Sequence, residues 1–271
     1  MKTSTSLSVQ YDNIFSPFPG RQWEDGLRWV KDAGFDAVEI ILSDPDLIDR
    51  RLLQKRLEQL DLPVSTISTG QAMGLEQLSL VSASRQTREV TLARLRRDID
   101  FAIELGRPHV TIGLIRGRGG ENSPEMELPL LRDSLKQIAD YAEAQQVVLN
   151  LEAINRYECK YLNSSEETLQ ILHDIGDPAC MGVLYDTFHS NIEDADMTGA
   201  IAALKGRITN VHLADSNRRL PGEGHIDFHA VAAALEANGY TGYLALEVLN
   251  NPSAAHVQAH AQASMQYVLG K

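Results

Sequence analysis

Short apolar runs alternate with segments of helical periodicity from one end of the chain to the other. Such runs are typical of buried strands, whereas apolar residues repeated every three or four positions are typical of amphipathic helices. We predict strands near Leu7–Tyr11, Ala37–Leu42, Val64–Ser68, Val110–Ile115, Val147–Glu152, Met181–Asp186, Ile208–His212 and Tyr243–Glu247. We predict helices near Trp23–Ala33, Leu47–Leu60, Arg85–Glu104, Glu125–Ala144, Glu166–Ile175, Thr198–Lys205, Phe228–Asn238 and Ser253–Leu269.

This alternation predicts an α/β fold, a single (β/α)8 TIM barrel that occupies residues 1–271 as one domain. The length of 271 residues is close to the roughly 250 residues usual for this barrel. A doubly wound parallel sheet is the alternative, but a glycine-rich fingerprint typically follows its first strand. The segment Tyr11–Gly20 lacks that fingerprint, so the pattern favours the barrel.

Composition and charge restrict the partners and the location. The net charge of −12 argues against nucleic acid and anionic membrane, because both attract a basic surface. The N-terminus lacks the apolar stretch of a secretory signal, and no window approaches the ~20 apolar residues of a membrane span. Cys159 and Cys180 have no CxxC spacing, so we expect a reduced, cytoplasmic protein.

Four predicted strands in the second half of the chain end in potential metal ligands: Glu152, Asp186, His212 and Glu247. Because the carboxyl ends of barrel strands form one face, where the active sites of this fold lie, we expect these side chains to converge. Three crowded carboxylates repel one another unless a cation neutralises them. Three carboxylates with one imidazole suit Mn²⁺, Mg²⁺ or Co²⁺. The alternative is that each is an ordinary polar residue at a strand end.

Three of these strand ends are followed by a polar residue that is positioned to contact a bound substrate. Glu158 lies six positions after Glu152, and Arg218 lies six positions after His212. His189 follows its own strand end, Asp186, by three positions. The repeated placement favours substrate binding, although an isolated loop residue of this kind is more often only solvated.

Four segments give the chain a family resemblance. They are Leu151–Glu158, Asp186–Glu193, His212–Arg218 and Pro221–Asp227. In this order they resemble the xylose-isomerase-like sugar isomerase/epimerase superfamily, and within it the ketose 3-epimerases. The resemblance extends over nearly the whole chain. It implies a barrel enzyme that uses a divalent metal, often Mn²⁺, and assembles as a homo-oligomer, commonly a dimer or tetramer.

The resemblance also implies a role for each candidate residue. It assigns metal binding to Glu152, Asp186, His212 and Glu247, acid/base catalysis to Glu152 and Glu247, and substrate binding to Glu158, His189 and Arg218. One glutamate would remove the C3 proton of a ketose, and the resulting cis-enediolate would be stabilised by the metal. The other glutamate would return a proton to the opposite face and so invert the centre.

The loop after the fourth predicted strand directs the substrate prediction. Arg116 and Arg118 lie in it, and a guanidinium binds a carboxylate with two parallel hydrogen bonds. Together with Glu39–Pro45 and Ser68–Ala72, this loop resembles the 5-keto-L-gluconate epimerases. We therefore predict a keto-sugar acid as substrate, such as 5-keto-L-gluconate converted to D-tagaturonate, and Gln71 as a further substrate contact. The alternative is that both arginines belong to a solvated basic loop.

Two further expectations concern the surroundings of the metal site. Glu39 is expected behind the metal ligands, and Tyr11, Phe15 and Phe18 of the first loop would form an apolar lid. Surface aromatic residues without a role are the alternative for the lid.

Other functions on the same scaffold stay open. The same metal site would serve a ketose 3-epimerase for neutral sugars, an aldose–ketose or hydroxypyruvate-type isomerase, or an inosose dehydratase. A DNA-repair endonuclease of the superfamily would need additional histidine ligands and a basic groove, which the charge of −12 opposes. A sugar-binding barrel without catalysis is disfavoured because both candidate glutamates are present.

Overall fold

The computed structural model describes residues 1–270, and within them eight parallel strands close into a barrel in chain order. The strands are β1 (Lys2–Ser8), β2 (Ala37–Ile41), β3 (Val64–Ser68), β4 (His109–Ile112), β5 (Leu149–Glu152), β6 (Met181–Asp186), β7 (Ile208–Leu213) and β8 (Tyr243–Leu246). The pairing of β1 with β8 closes the ring. The predicted (β/α)8 TIM barrel is therefore confirmed.

Helices surround the barrel and connect its strands. They are α1 (Trp23–Asp32), α2 (Arg50–Leu60), α3 (Gly70–Glu76), α4 (Arg85–Glu104), α5 (Pro124–Gln145), α6 (Ser165–Asp174), α7 (Thr187–Glu193), α8 (Met197–Ala203), α9 (Phe228–Asn238) and α10 (Ala254–Val268). Apolar side chains such as Leu27, Ile40 and Leu95 are fully buried in the layer between strands and helices. Among residues 1–270, no helix is both long enough and apolar enough to cross a membrane.

The first strand lies earlier in the chain than the apolar pattern predicts. β1 occupies Lys2–Ser8 instead of Leu7–Tyr11. Its serines are buried, and the hydroxyl of Ser4 hydrogen-bonds that of Ser65 with an oxygen–oxygen distance of 2.7 Å. Buried polar groups need such partners, and small hydroxyl side chains can supply them to one another within the barrel. This strand therefore lacks the apolar signal from which strands are predicted.

Two short helices that the periodicity does not predict, α3 and α7, directly follow β3 and β6. Each has seven residues, which is too short for a clear helical pattern. The carboxylate of Asp186 caps α7 by accepting hydrogen bonds from the amides of Phe188 at 2.7 Å and His189 at 3.3 Å. One residue thus ends a strand and begins a helix, and it places His189 at the same end of the barrel.

The side chains that face the barrel interior are partly polar. Asn210 donates a hydrogen bond to Glu39 at 3.4 Å, and Asn150 donates one to Thr111 at 3.4 Å. Because side chains alternate along a strand, the inward direction of Asn150 and Asn210 implies the same direction for Glu152 and His212. Glu152 and His212 therefore also face the barrel interior.

Candidate active site

The structure brings the four strand-end candidates together. Glu152 and Asp186 are the last residues of β5 and β6, His212 is next to last in β7, and Glu247 directly follows β8. Each offers one ligand atom, and these atoms all lie within 4.8 Å of one another. We call these four residues the donor cluster. It fills the position at which the sequence predicts a metal site.

The imidazole of His212 is held from behind by a buried carboxylate. Its Nε2 lies 3.0 Å from Glu39 Oε1 and 3.1 Å from Oε2, and Glu39 is completely buried. Nδ1 faces the other way, 3.5 Å from Glu247 Oε2 and 3.8 Å from Asp186 Oδ2. A carboxylate behind a histidine fixes the ring orientation and raises its basicity as a ligand. The expectation that Glu39 lies behind the ligands thus agrees with the geometry.

Two buried atoms of the donor cluster have no hydrogen-bond partner, His212 Nδ1 and Asp186 Oδ2. Buried polar atoms without partners are rare in folded proteins and call for an explanation. Both atoms point into the cluster, where a divalent cation would bind them. The donor set of three carboxylates and one imidazole is one that Mn²⁺, Mg²⁺ or Co²⁺ accepts. The residues present therefore fit a metal centre.

The protein's own charges push the pKa values of the cluster carboxylates apart. Burial, together with the charge of Glu247, raises the pKa of Glu152 well above its usual value and that of Asp186 to about 6. Burial would also raise the pKa of Glu247, but the neighbouring His212 and Arg218 lower it to about 2. A cluster in which carboxylates differ this strongly favours one ionised and one protonated glutamate.

His189 is oriented by Asn155, a residue that the sequence does not single out. The Asn155 side-chain amide lies 2.7 Å from His189 Nδ1 and donates to Glu158 Oε1 at 3.1 Å. An amide nitrogen can only donate, so Nδ1 accepts and the proton is on Nε2. Nε2 lies 3.8 Å from Glu152 Oε1. Burial and the charge of Arg218 lower the pKa of His189 to about 3, so the ring is a neutral hydrogen-bond donor.

Arg218 links the predicted substrate residues to the donor cluster. Its Nη1 donates to Glu158 Oε1 at 2.8 Å, and its Nη2 lies 3.6 Å from Glu247 Oε2. The guanidinium lies between two aromatic rings, with its central carbon 4.5 Å from the centroid of Phe15 and 4.7 Å from that of Phe188. Such cation–π contacts restrict the side chain. Burial would lower the pKa of Arg218, but Glu247 and Asp186 raise it, so it stays charged.

The loop that carries Arg218 is itself fixed by a buried carboxylate. Asp215 follows β7 and accepts hydrogen bonds from the amides of Gly222 and Gly224, both at 2.8 Å, and of Ile226 at 3.1 Å. Its own carbonyl accepts from the amide of Arg218 at 2.7 Å. Arg218 has a left-handed backbone with φ of 59°, which this turn holds in place.

The predicted apolar lid is only partly present. Phe15 lies against Arg218 and lines the cavity in front of the donor cluster. Phe18 packs instead on Trp29, with ring centroids 5.7 Å apart, and Tyr11 is exposed to solvent. Of the three aromatic residues in the first loop, Phe15 alone is thus placed to cover a bound substrate.

A cavity of about 380 Å³ opens beside the donor cluster at the carboxyl ends of the strands. Cavities of this size are typical of small-molecule sites. From the second half of the barrel it is lined by Glu152, Ile154, Glu158, His189, Arg218 and Glu247. From the first four strands and the segments after them it is lined by Asp12, Asn13, Ile14, Phe15, Ile41, Ser68, Gly70, Gln71, Gly74, Leu75, Thr111, Gly113 and Leu114. The predicted substrate contacts Glu158, His189, Arg218 and Gln71 thus line one cavity.

Gly113, at the end of β4, makes room for a catalytic candidate. A Cβ atom at this position would lie 2.2 Å from Glu152 Oε2, which is far inside van der Waals contact. A larger residue here would therefore displace the carboxylate. Gly113 directly follows β4, and no pattern in the sequence distinguishes it from an ordinary turn glycine.

Arg116 and Arg118, the two arginines predicted to bind a substrate carboxylate, do not line the cavity. Arg116 is completely buried, does not line the cavity, and donates to the carbonyls of Tyr161 at 3.3 Å and Leu162 at 3.1 Å. Arg118 is exposed and donates to the carbonyl of Glu158 at 3.0 Å. Neither is placed to bind a substrate carboxylate. Both instead donate to carbonyls of the loop after β5, which carries Glu158. Arg116 is thus not solvated, whereas Arg118 is exposed to solvent.

Asn155 and Asp215 are further residues that reasoning from the sequence missed. Each lies three positions after a donor-cluster residue, Asn155 after Glu152 and Asp215 after His212. The same spacing separates His189 from Asp186. A search for polar residues at this fixed spacing would have found both.

Comparison with known proteins gives a consistent family assignment. A family model described as "Xylose isomerase-like TIM barrel" matches residues 27–268. An L-ribulose 3-epimerase from Mesorhizobium japonicum is 36% identical over 231 residues, which are 83% of this chain and 74% of the relative. A ketose 3-epimerase from Arthrobacter globiformis is 29% identical over 233 residues, covering 82% of this chain and 78% of the relative.

A solved structure supports the same likeness in three dimensions. The structure of an L-ribulose 3-epimerase superimposes with a TM-score of 0.84 at 28% sequence identity. The match covers 99% of this chain and 94% of the other. The likeness therefore extends over the whole barrel, including every strand that contributes to the donor cluster.

Proposed function

This chain belongs to the xylose isomerase-like TIM barrel family and is an enzyme that acts on carbohydrates, and from this premise we propose that it epimerises C3 of a keto-sugar. The observation that carries the proposal is the donor cluster, with two glutamates at the ends of strands β5 and β8 facing one cavity. Epimerisation beside a ketone needs a base on one face of the carbon and an acid on the other.

Within this proposal a divalent cation is held by the donor cluster. Mn²⁺ is the ion we propose, with Mg²⁺ and Co²⁺ as alternatives, because a site of carboxylates and one imidazole accepts all three. When bound, it supplies Lewis-acid polarisation of the substrate ketone. The partnerless Nδ1 of His212 and Oδ2 of Asp186 support this assignment.

The remaining steps belong to side chains of this chain. One carboxylate, Glu152 or Glu247, removes the proton at C3, and the other donates a proton to the opposite face. The neutral Nε2–H of His189 and the guanidinium of Arg218 donate hydrogen bonds to substrate oxygens that gain negative charge. Glu158 holds Arg218 in place through the contact of 2.8 Å. Phe15 lies over the guanidinium and helps to exclude water.

A keto-sugar acid such as 5-keto-L-gluconate stays the second candidate for the substrate. Arg116, on which that prediction was based, does not line the cavity. Arg218 does line it, and a guanidinium there is compatible with a substrate carboxylate near the donor cluster. Epimerisation of a neutral ketose therefore comes first in the proposal. One domain over residues 1–271, a homo-oligomer and a cytoplasmic location stay predictions.

Deuterium incorporation tests the proposed function. The metal-loaded protein is incubated in deuterated water with L-ribulose, neutral ketohexoses, 5-keto-L-gluconate and D-tagaturonate, and the products are examined by NMR. The proposal predicts deuterium at C3 together with the C3 epimer. An aldose product would indicate an aldose–ketose isomerase, and loss of water from a substrate would indicate a dehydratase. Either result without exchange at C3 would overturn the proposal.

A further inference from the structure

The side-chain amide of Gln71 is an unused recognition group in the cavity. Gln71 lies at the start of α3, is 8% exposed and lines the same cavity as Glu152 and Glu247. Its Oε1 is buried and has no hydrogen-bond partner. Leaving a buried acceptor unpaired is costly, so an atom of this kind in a binding cavity indicates a missing donor.

The orientation of this amide is determined by its neighbours. Nε2 lies 3.5 Å from the carbonyl oxygen of Tyr11 and 3.4 Å from that of Asp12. Carbonyl oxygens only accept hydrogen bonds, so the nitrogen must be on their side. The oxygen of the amide is therefore the atom left for a ligand. Gln71 offers the cavity an acceptor and not a donor.

Other polar groups near this side of the cavity reinforce the acceptor character. The hydroxyl of Ser68 donates to Glu39 Oε1 at 2.7 Å, so its proton is already used. Among the cavity-lining residues that the structure describes, Arg218 is the one arginine or lysine, and it is paired with Glu158 and lies close to Glu247. A carboxylate beside Gln71 would meet oxygen atoms without a free cation.

We propose that Gln71 Oε1 accepts a hydrogen bond from a hydroxyl on the tail of the substrate, carbons C4 to C6, and thereby selects an uncharged ketose over a keto-sugar acid. A hydroxyl can donate to this oxygen, whereas an ionised carboxylate has no proton to donate. This inference rests on the proposed function, because it takes C2 and C3 of a ketose to lie at the donor cluster. It adds the atom that recognises the tail of the substrate and a physical reason for the preference for an uncharged ketose.

Deoxy sugars paired with a Gln71 variant test the inference. kcat/KM is measured for a ketohexose and for its 4-, 5- and 6-deoxy derivatives, with wild type and Gln71→Leu. In wild type one deoxy derivative should lose about tenfold or more, which corresponds to a hydrogen bond of roughly 1.4 kcal/mol. In Gln71→Leu the same pair should react equally. Equal loss in both proteins for every derivative would overturn the inference.

The ratio of kcat/KM between a ketohexose and its deoxy derivative distinguishes loss of substrate recognition from a change in the first loop. Gln71→Leu also removes the contacts of Nε2 with Tyr11 and Asp12, but that change affects all substrates alike and cancels in the ratio. Gln137→Leu, an exposed site on α5, is the matched control and should leave every ratio unchanged. As a second arm, wild type should prefer the ketohexose to the corresponding keto-sugar acid. A preference of wild type for the acid would contradict the inference.

Binding measurements distinguish failure of this inference from failure of the proposed function. Dissociation constants for the same sugars, measured by calorimetry with the metal-loaded protein, need no turnover. Absence of exchange at C3 with every sugar would overturn the proposed function, while the ratio of dissociation constants would still decide the role of Gln71. A hydroxyl-dependent ratio that persists in Gln71→Leu would remove Gln71 from substrate recognition even when the protein epimerises ketoses.

Discussion

The two halves of the barrel offer different chemistry to the same cavity. Strands β5 to β8 end in the charged donor cluster, whose ligand atoms lie within 4.8 Å of one another. Strands β1 to β4 and the segments after them contribute hydroxyl, amide and apolar groups, among them Ser68, Thr111, Gln71 and Leu75. One half is therefore equipped for a cation and proton transfer, and the other for contact with a neutral, hydroxylated molecule.

The two groups of cavity residues also differ in the kind of structural element that carries them. The donor cluster lies at strand ends, which the closed ladder of hydrogen bonds holds rigidly. Gln71 and Leu75 lie on the short helix α3, and Phe15 lies in the first loop. In TIM barrels the loops after the strands vary without disturbing the barrel. We therefore expect the reaction type to depend on the rigid strand ends and the choice of substrate to depend on the segments that vary.

The largest effect is expected in the charged half. Glu152→Gln or Glu247→Gln removes a proton-transferring carboxylate, so C3 exchange should fall by about 10²–10⁴-fold. The measurement is the rate of deuterium incorporation at C3, with Mn²⁺ affinity determined in parallel to correct for weaker metal binding. Glu236→Gln, an exposed change on α9, is the matched control and should be neutral. Exchange at the wild-type rate in either cluster variant would exclude that glutamate from the acid/base role.

Glu39 is an exception to the difference between the two halves, because it lies on β2 in the first half but contacts His212 on β7 in the second. Glu39→Gln keeps the size of the side chain but removes the charge behind the imidazole. We expect Mn²⁺ affinity to fall by about 10–100-fold. Calorimetric titration with Mn²⁺ measures this directly, with Glu58→Gln on the surface of α2 as control. Unchanged affinity would show that the charged half alone defines the metal site.

An Arg116 variant tests whether the first half of the barrel distinguishes charged from uncharged substrates. Arg116→Met leaves the carbonyls of Tyr161 and Leu162 without their donor, so the free energy of unfolding should fall by about 2–4 kcal/mol. The ratio of kcat/KM for a ketose and a keto-sugar acid should stay unchanged, because the guanidinium does not face the cavity. Urea denaturation and parallel kinetics measure the two quantities. A selective loss of activity toward the keto-sugar acid would support the prediction that Arg116 binds the substrate carboxylate.

The smallest expected effect is on stability, and it comes from Asp98, a buried acid of the first half that does not line the cavity. Asp98 on α4 is 1% exposed, and neither carboxylate oxygen has a hydrogen-bond partner. Burial raises the pKa of Asp98 well above its ordinary value of 3.8, an effect only partly opposed by Arg94. The folded protein therefore keeps a proton that the unfolded chain releases, and stability falls as the pH rises from about 4 through the raised pKa.

Asp98→Asn should remove this pH dependence, because an amide does not ionise. At pH 8 the variant should be more stable than wild type by about 1 kcal/mol or more, and the difference should shrink as the pH falls toward 4. The free energy of unfolding in urea at several pH values measures this. A difference that is independent of pH would show that Asp98 does not change its protonation on folding. The comparison with Asp186 is direct, since both acids are buried but only Asp186 lies among potential ligands.

The barrel and the members of the donor cluster could be predicted from the sequence alone. Strand periodicity and strand-end chemistry are local properties, and the topology of a (β/α)8 barrel brings all strand ends to one face. Glu158, His189 and Arg218 were also placed correctly in the cavity, because short loops keep residues near the strands they follow. The polar strand β1 was misplaced, since its buried serines find partners that only the closed barrel supplies.

The contacts of individual side chains could not be predicted from the sequence, because they depend on groups that the fold brings together. Arg116 follows a strand as the cluster residues do, but the loop after β5 offers it two carbonyls, and a buried guanidinium takes the nearest acceptors. The proton on His189 Nε2 depends on Asn155, and the free oxygen of Gln71 depends on carbonyls sixty and fifty-nine residues away. Whether such a side chain donates or accepts a hydrogen bond thus depends on partners that are distant in sequence. A local sequence pattern contains no information about those partners.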